Sequence, residues 1–197
     1  MARAAAYDRD TALQAAMVLF WRKGYHATSL KDLEAALNMK PGSIYAAFSS
    51  KETLYLLALK RYFETSRERF RERVAQSRSP LAALADNLRA YVRISPDDAA
   101  RRVCMLTKTL VDTQATDPKI AAVTRDYLVQ MRGEFAQAFR AARDVGELPP
   151  DADPDRLARR YQANVTALRF ELHRGALRHE IEELAEDMAR EVEALRP

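Results

Sequence analysis

The stretch from Thr28 to Glu52, TSLKDLEAALNMKPGSIYAAFSSKE, decides how the chain folds. Thr28 or Ser29 can cap a short helix, Leu30 to Leu37, because a hydroxyl there accepts from the first orphan backbone N–H groups. Asp32 in its first turn suits the positive end of the helix dipole. Asn38-Met39-Lys40 makes a three-residue turn. Pro41 stands where a first helical residue belongs, since its missing N–H costs nothing there, and a second short helix runs to about Phe48. Ser49 and Glu52 have the spacing of a capping box that opens a further helix. Two short helices joined by so tight a turn predict a helix-turn-helix, a unit whose second helix can enter a DNA major groove.

Outward from that stretch the pattern stays helical. Asp8 to Lys23 carries Ala12, Ala16, Leu19 and Phe20 on one face and ends at Gly24. A long helix from residue 51 to about Gln76 places Leu56, Leu59, Phe63, Phe70 and Val74 on one stripe. Further helices are predicted over Leu81 to Ile94 and about Ala99 to Asp112. Others run from Asp117-Pro118 to Gly146, from Asp153-Pro154 to Gly175, and over about Glu180 to Leu195. The 197 residues, 48% hydrophobic and 30% charged, exclude a disordered chain. With 5 Gly and 8 Pro, they are too poor in turn formers for a hairpin-rich β protein. The expected fold class is all-α with about nine helices. Residues 1–50 form a three-helix helix-turn-helix DNA-binding domain. Residues 51–197 form the helical remainder of the chain, with 51–78 as the connecting helix.

The single cysteine forms no intramolecular disulfide, no apolar run approaches the roughly 20 residues of a membrane helix, and Met1 to Arg9 lacks the apolar segment of a signal peptide. The reading is therefore a cytoplasmic protein with no membrane partner. Residues 1–73 hold 13 Lys and Arg against 8 Asp and Glu, whereas residues 74–197 hold 19 against 20. The positive surplus lies at the N-terminal end, as contact with a polyanion there requires. Thr28 and Ser29 sit at a helix N-terminus, which favours an anion. Lys40, Ser43, Tyr45 and Lys51 carry donors for phosphate oxygens or base edges. Gly42 lets the backbone approach closely, and Leu19, Phe20, Leu33, Leu37, Ile44 and Phe48 face inward.

Three runs carry a resemblance. They are Phe20-Trp21-Arg22-Lys23-Gly24-Tyr25, then Thr28-Ser29-Leu30-Lys31-Asp32-Leu33, then Gly42-Ser43-Ile44-Tyr45-Ala46-Ala47-Phe48-Ser49-Ser50-Lys51-Glu52. In order and spacing, residues 8–60 resemble the DNA-binding domain of the TetR/AcrR family of one-component transcriptional repressors. The resemblance implies a homodimer on a palindromic double-stranded operator, released when a small-molecule inducer binds the C-terminal domain. It assigns Thr28, Lys40, Tyr45 and Lys51 to phosphates, and Pro41, Gly42, Ser43 and Ala46 to bases or adjoining backbone. At Ala47 the chain departs from the pattern, because many members carry His or Tyr there and alanine has no donor.

In the remaining two thirds the apolar stripes of the last two helices suit an intersubunit four-helix bundle around a two-fold axis. This places Ala167, Leu168, Leu172, Leu184, Met188 and Val192 near a dimer interface. Candidate ligand contacts are Tyr91, Met105, Tyr127, Met131, Phe135, Phe139 and Tyr161, an aromatic and sulfur-rich set that also suits plain core. Asn164, on the edge of a stripe, needs a polar partner in a ligand or across the dimer. Cys104 follows Arg101-Arg102 near a predicted helix start, where both lower a thiol pKa. An electrophile- or redox-sensing repressor is therefore the alternative, in keeping with family members that sense through one cysteine. His26, His173 and His179 are too scattered for a metal site, and the sequence has no Gly-rich phosphate loop and no Gly-x-Ser-x-Gly elbow. The chain is expected to be no enzyme and to need no cofactor. A helical adaptor without DNA binding is the rival of another class, separated by the steep salt dependence of duplex binding.

Overall fold

The computed structural model describes residues 8–94 and 103–197. Among them are nine α-helices, one short 3-10 turn and no strand. The helices are α1 (Arg9–Lys23), α2 (Leu30–Leu37), α3 (Pro41–Phe48), α4 (Lys51–Gln76), α5 (Pro80–Arg89), α6 (Met105–Thr113), α7 (Pro118–Asp144), α8 (Pro154–Arg174) and α9 (Arg178–Glu193), with the 3-10 turn at Ala90–Arg93. The all-α expectation holds.

Several boundaries fall where side-chain chemistry puts them. Asp8 caps α1 by accepting from the Asp10 N–H, and Gly24 closes it at φ 87°, a conformation that favours glycine. Ser29 rather than Thr28 caps α2, in a full capping box with Asp32. Asn38, at φ 51°, ends α2, a left-handed position that asparagine tolerates. The box expected between Ser49 and Glu52 does not form. Ser49 is the C-cap of α3 at φ 65°, and the Ser50 hydroxyl accepts from the Thr53 N–H at 3.0 Å, so Ser50 rather than Ser49 serves the first turn of α4. The helix predicted over Leu81 to Ile94 stops at Arg89 and tightens into the 3-10 turn. Of the helix predicted over 99–112, residues 99–102 lie outside the described residues, and α6 begins at Met105.

The chain packs into two compact units, one of Met1–Glu64 with Met105–Arg125, the other of Thr65–Cys104 with Asp126–Pro197. In the first, α1 to α3 and the start of α4 bury Phe20, Leu33, Leu37, Ile44, Phe48 and Leu59. Phe20 meets Tyr55 edge-on at 4.8 Å, and Trp21 meets Tyr62 at 4.9 Å. The Tyr55 hydroxyl, its pKa pushed up to about 12 by burial, shares a 2.7 Å hydrogen bond with Thr109 of α6. In the second unit an aromatic column runs from Phe70 through Phe135 to Tyr161, with centroids 5.0 and 4.9 Å apart, and Phe139 stands 5.8 Å from Tyr161.

One arginine ties α5 to α9. Arg89 donates from Nε to Glu186 at 2.8 Å and from Nη1 to Glu193 at 2.7 Å. Its guanidinium holds the Glu186 carboxyl down at about 2, from an ordinary 4.5. A carboxylate depressed in the folded state stabilises the fold above its unfolded pKa and loses that contribution as the pH falls through the folded one. Arg89→Met is expected to lower the melting temperature by about 2–4 °C near neutrality. The gap should narrow as the pH drops from 4.5 towards 2 in thermal scans at stepped pH. A gap that persists undiminished in acid would assign the loss to packing instead.

Candidate nucleic-acid interface

An eight-residue helix has two sides, and α3 spends them differently. Ile44 and Phe48 are buried, while Gly42, Ser43 and Ala46 are exposed and Tyr45 keeps 44% of its surface in solvent. Lys40, exposed, is the N-cap residue, and half-buried Pro41 follows it at the first helical position. A Cβ added at Gly42 would meet nothing within 4 Å, so the fold itself does not require glycine there. Arg9 lies at the rim, its guanidinium 5.2 Å from the centroid of the Phe48 ring. Sequence reading passed over Arg9, whose place beside Phe48 comes only from the tertiary fold.

The corner before α3 departs from expectation at Thr28. Its side chain is fully buried, and its hydroxyl donates to the Gly24 carbonyl at 2.7 Å. A phosphate cannot reach it, so the phosphate role read for Thr28 is set aside. The signal was available, since a threonine four residues after a helix-ending glycine can bond back to that carbonyl. Ser29 is exposed, with its hydroxyl engaged by Asp32: it accepts from the Asp32 N–H at 3.1 Å and donates to the carboxylate at 2.7 Å. Lys23 reaches the same carboxylate at 2.7 Å, and this ammonium, with the Ser29 bonds, holds the Asp32 carboxyl far below the usual range. Lys51 is half-buried with Nζ 4.7 Å from the Tyr25 ring centroid, and burial lowers its pKa.

In the second unit the expected interface residues divide. Leu168 and Val192 are buried inside the protomer, which removes them from any interface. Leu172, Leu184 and Met188 are half-buried and Ala167 is exposed. Phe170, which sequence reading missed, is 60% exposed on α8. An aromatic residue off the apolar stripe was its signal. Among the ligand candidates, Phe135, Phe139 and Tyr161 are core side chains. The Tyr161 hydroxyl donates to the Leu84 carbonyl and accepts from Asn87, both at 2.8 Å. Met105 is buried in the first unit. Tyr91, Tyr127, Met131 and Asn164 are half-buried. Cys104 is half-buried directly ahead of α6, and its neighbour Val103 accepts from Arg169 at 3.2 Å. Arg101 and Arg102 lie outside the described residues. Among the described residues no cluster of His, Cys, Asp or Glu could hold a metal ion, and no helix is long and apolar enough to cross a membrane.

Residues 12–58 match the pattern of bacterial regulatory proteins of the tetR family, and residues 77–173 match the tetracyclin repressor-like C-terminal domain. The chain is 30% identical over 181 residues to the HTH-type transcriptional repressor ComR of Escherichia coli (strain K12), covering 91% of this chain and 86% of that one. The chain belongs to the TetR family. The chain is also 28% identical to the HTH-type transcriptional regulator YezE of Bacillus subtilis (strain 168), over 86% of this chain and 88% of that one. A solved structure of the TetR-family regulator CifR, a cysteine mutant complexed with 26-base-pair double-strand operator DNA, superposes with a TM-score of 0.86. It is 28% identical and covers 96% of this chain and 98% of that one.

As a TetR-family transcriptional regulator the protein has a helix-turn-helix head, and its α3 is the second helix of that motif. The placement of Thr28 separates two outcomes. Thr28→Val keeps the shape and removes the donor to Gly24. A buried carbonyl left unpaired costs about 1–3 kcal/mol. The variant should therefore show that loss in urea unfolding. Unchanged stability with weakened DNA binding would restore the phosphate role.

Proposed function

We propose that this regulator is a repressor that binds a palindromic operator as a homodimer through α3 and is released by a small-molecule inducer. The observation that carries it is the outward presentation of Gly42, Ser43, Tyr45 and Ala46 on a helix anchored by Ile44 and Phe48. A major groove admits one such helix. Lys40, Tyr45 and Lys51 take phosphates, and Pro41, Gly42, Ser43 and Ala46 face bases or adjoining backbone. Ser29 contributes the backbone end of α2, because its hydroxyl is engaged in the cap. Residues 1–50 act as the DNA-binding domain and 51–197 as the ligand-binding and dimerisation domain, in the cytoplasm. CifR bound to operator DNA, a relative of like fold, supports the reading. Catalysis has no part in it.

The inducer is read by the half-buried polar and aromatic groups Tyr91, Tyr127 and Asn164 with Met131. The homodimer is built on α8 and α9 around Ala167, Phe170, Leu172, Leu184 and Met188. Release by modification of Cys104, at the start of α6, is the alternative trigger.

Lys40→Ala tests the phosphate role. Operator affinity should fall, and the slope of log affinity against log salt should shrink by about 1 for each protomer bound, in fluorescence anisotropy titrations at several salt concentrations. An unaltered slope would remove Lys40 from the phosphate set. Phe170→Glu tests the dimer, because it sets a carboxylate where an apolar ring is offered. The variant should sediment as a monomer and lose operator binding, and a dimer of wild-type strength would move the interface off this face of α8.

A further inference from the structure

The corner between α1 and α2 is closed from outside the helix-turn-helix. A helix leaves its last carbonyls without intrahelical donors. In α1 the Phe20 carbonyl accepts from the Gly24 N–H at 2.7 Å. The next two are served by α6: Lys108 Nζ donates to the Trp21 carbonyl at 3.2 Å and to the Arg22 carbonyl at 2.7 Å. An ammonium at this end also matches the negative pole of the helix dipole. The fit is close, since a Cβ at Gly24 would stand 3.0 Å from Asp112 Oδ2. Beyond the corner His26 Nε2 lies 2.9 Å from Thr116 Oγ1 and 2.8 Å from Asp117 Oδ2. All these residues belong to one compact unit.

We propose that Lys108, on α6, is a positioning residue for operator recognition: by holding the end of α1 it sets the angle at which α3 is presented. The inference rests on the reading of α3 as the groove helix. The route is short. Lys108 fixes the carbonyls of Trp21 and Arg22, the adjoining Lys23 pairs with Asp32, and Asp32 and Ser29 cap α2, which leads through Asn38 into α3. The shorter Arg22 bond lies at the surface, where water can replace the lost donor, and only the longer Trp21 bond is partly buried. Removing the ammonium therefore alters direction more than it alters folding.

The test uses the full-length protein with the operator selected from a random duplex pool, a random duplex of equal length, and the variants Lys108→Met and Lys108→Arg. Lys108→Met should weaken operator binding about tenfold. Random-duplex affinity and the urea midpoint should stay near wild type, and Lys108→Arg should recover most of the loss. Operator affinity equal to wild type in Lys108→Met overturns the proposal. An equal loss on operator and random duplex overturns it too, making Lys108 a phosphate contact. So does a loss that follows the urea midpoint without rescue by arginine, which makes the residue merely structural. A wild type that does not discriminate operator from random duplex would instead sink the reading of α3, an outcome distinct from all of these.

Discussion

Eight residues cannot sustain a helix in water, because nucleation costs more than so short a run of hydrogen bonds returns. α3 therefore exists only by burying Ile44 and Phe48, and that burial decides which way the rest of it points. With the two apolar side chains four positions apart and inward, Gly42, Ser43, Tyr45 and Ala46 have nowhere to go but outward. Pro41 presets the first turn, and Asn38 and Ser49, both at positive φ, bend the chain sharply into and out of the helix. The proposed recognition surface is thus a by-product of core packing, and its direction is inherited from the helices that Ile44 and Phe48 pack between.

Direction and stability come from different interactions in this unit. Stability comes from the apolar core of the unit, to which the edge-on contacts of Phe20 with Tyr55 and Trp21 with Tyr62 add. Lys23 with Asp32 and Lys119 with Glu52 are exposed or half-exposed pairs. Such pairs add little stability each, about 0–1 kcal/mol. Their value is geometric, because each links two elements at a fixed distance. Thr28 joins this set from the inside: its hydroxyl ties the start of α2 to the Gly24 carbonyl, where an exposed residue could not.

The helix-turn-helix was legible in sequence because its punctuation is chemical. Asp8, Gly24, Ser29, Asn38 and Pro41 each satisfy or exempt a particular backbone group, so the bounds of α1 to α3 follow from local rules. Where two residues could serve the same purpose, local rules faltered. Ser49 and Ser50 both offer a hydroxyl, and the left-handed turn at Ser49 gave the cap to Ser50. The second unit was harder for a different reason. A stripe at helical spacing says that a side chain is covered, not by what. Leu168 and Val192 lie on such stripes and are covered by their own chain. Phe170 lies off them and is not covered, which is the property an interface residue must have in the isolated protomer. Tyr161 looked like a ligand contact as one of an aromatic set, yet its ring is buried in the core and Leu84 and Asn87, some seventy-five residues away in sequence, occupy its hydroxyl.

Gly42 gives the strongest reason to look outside the chain for what α3 meets. A glycine within a helix costs roughly 0.5–1 kcal/mol relative to alanine, because it gives up more backbone freedom on folding. Gly24, at the C-cap of α1, is required internally, since its φ of 87° and the nearby Asp112 carboxylate both oppose a side chain. Gly42 has neither reason: its backbone is ordinary helix and the space beyond its Cα is open. Alanine would fit there and would stabilise the isolated protein. The open space leaves room for another body to come close to the backbone at that point. Near that point stand the exposed N-cap Lys40 and Ser43, whose donors suit a phosphate-lined groove rather than an apolar protein face.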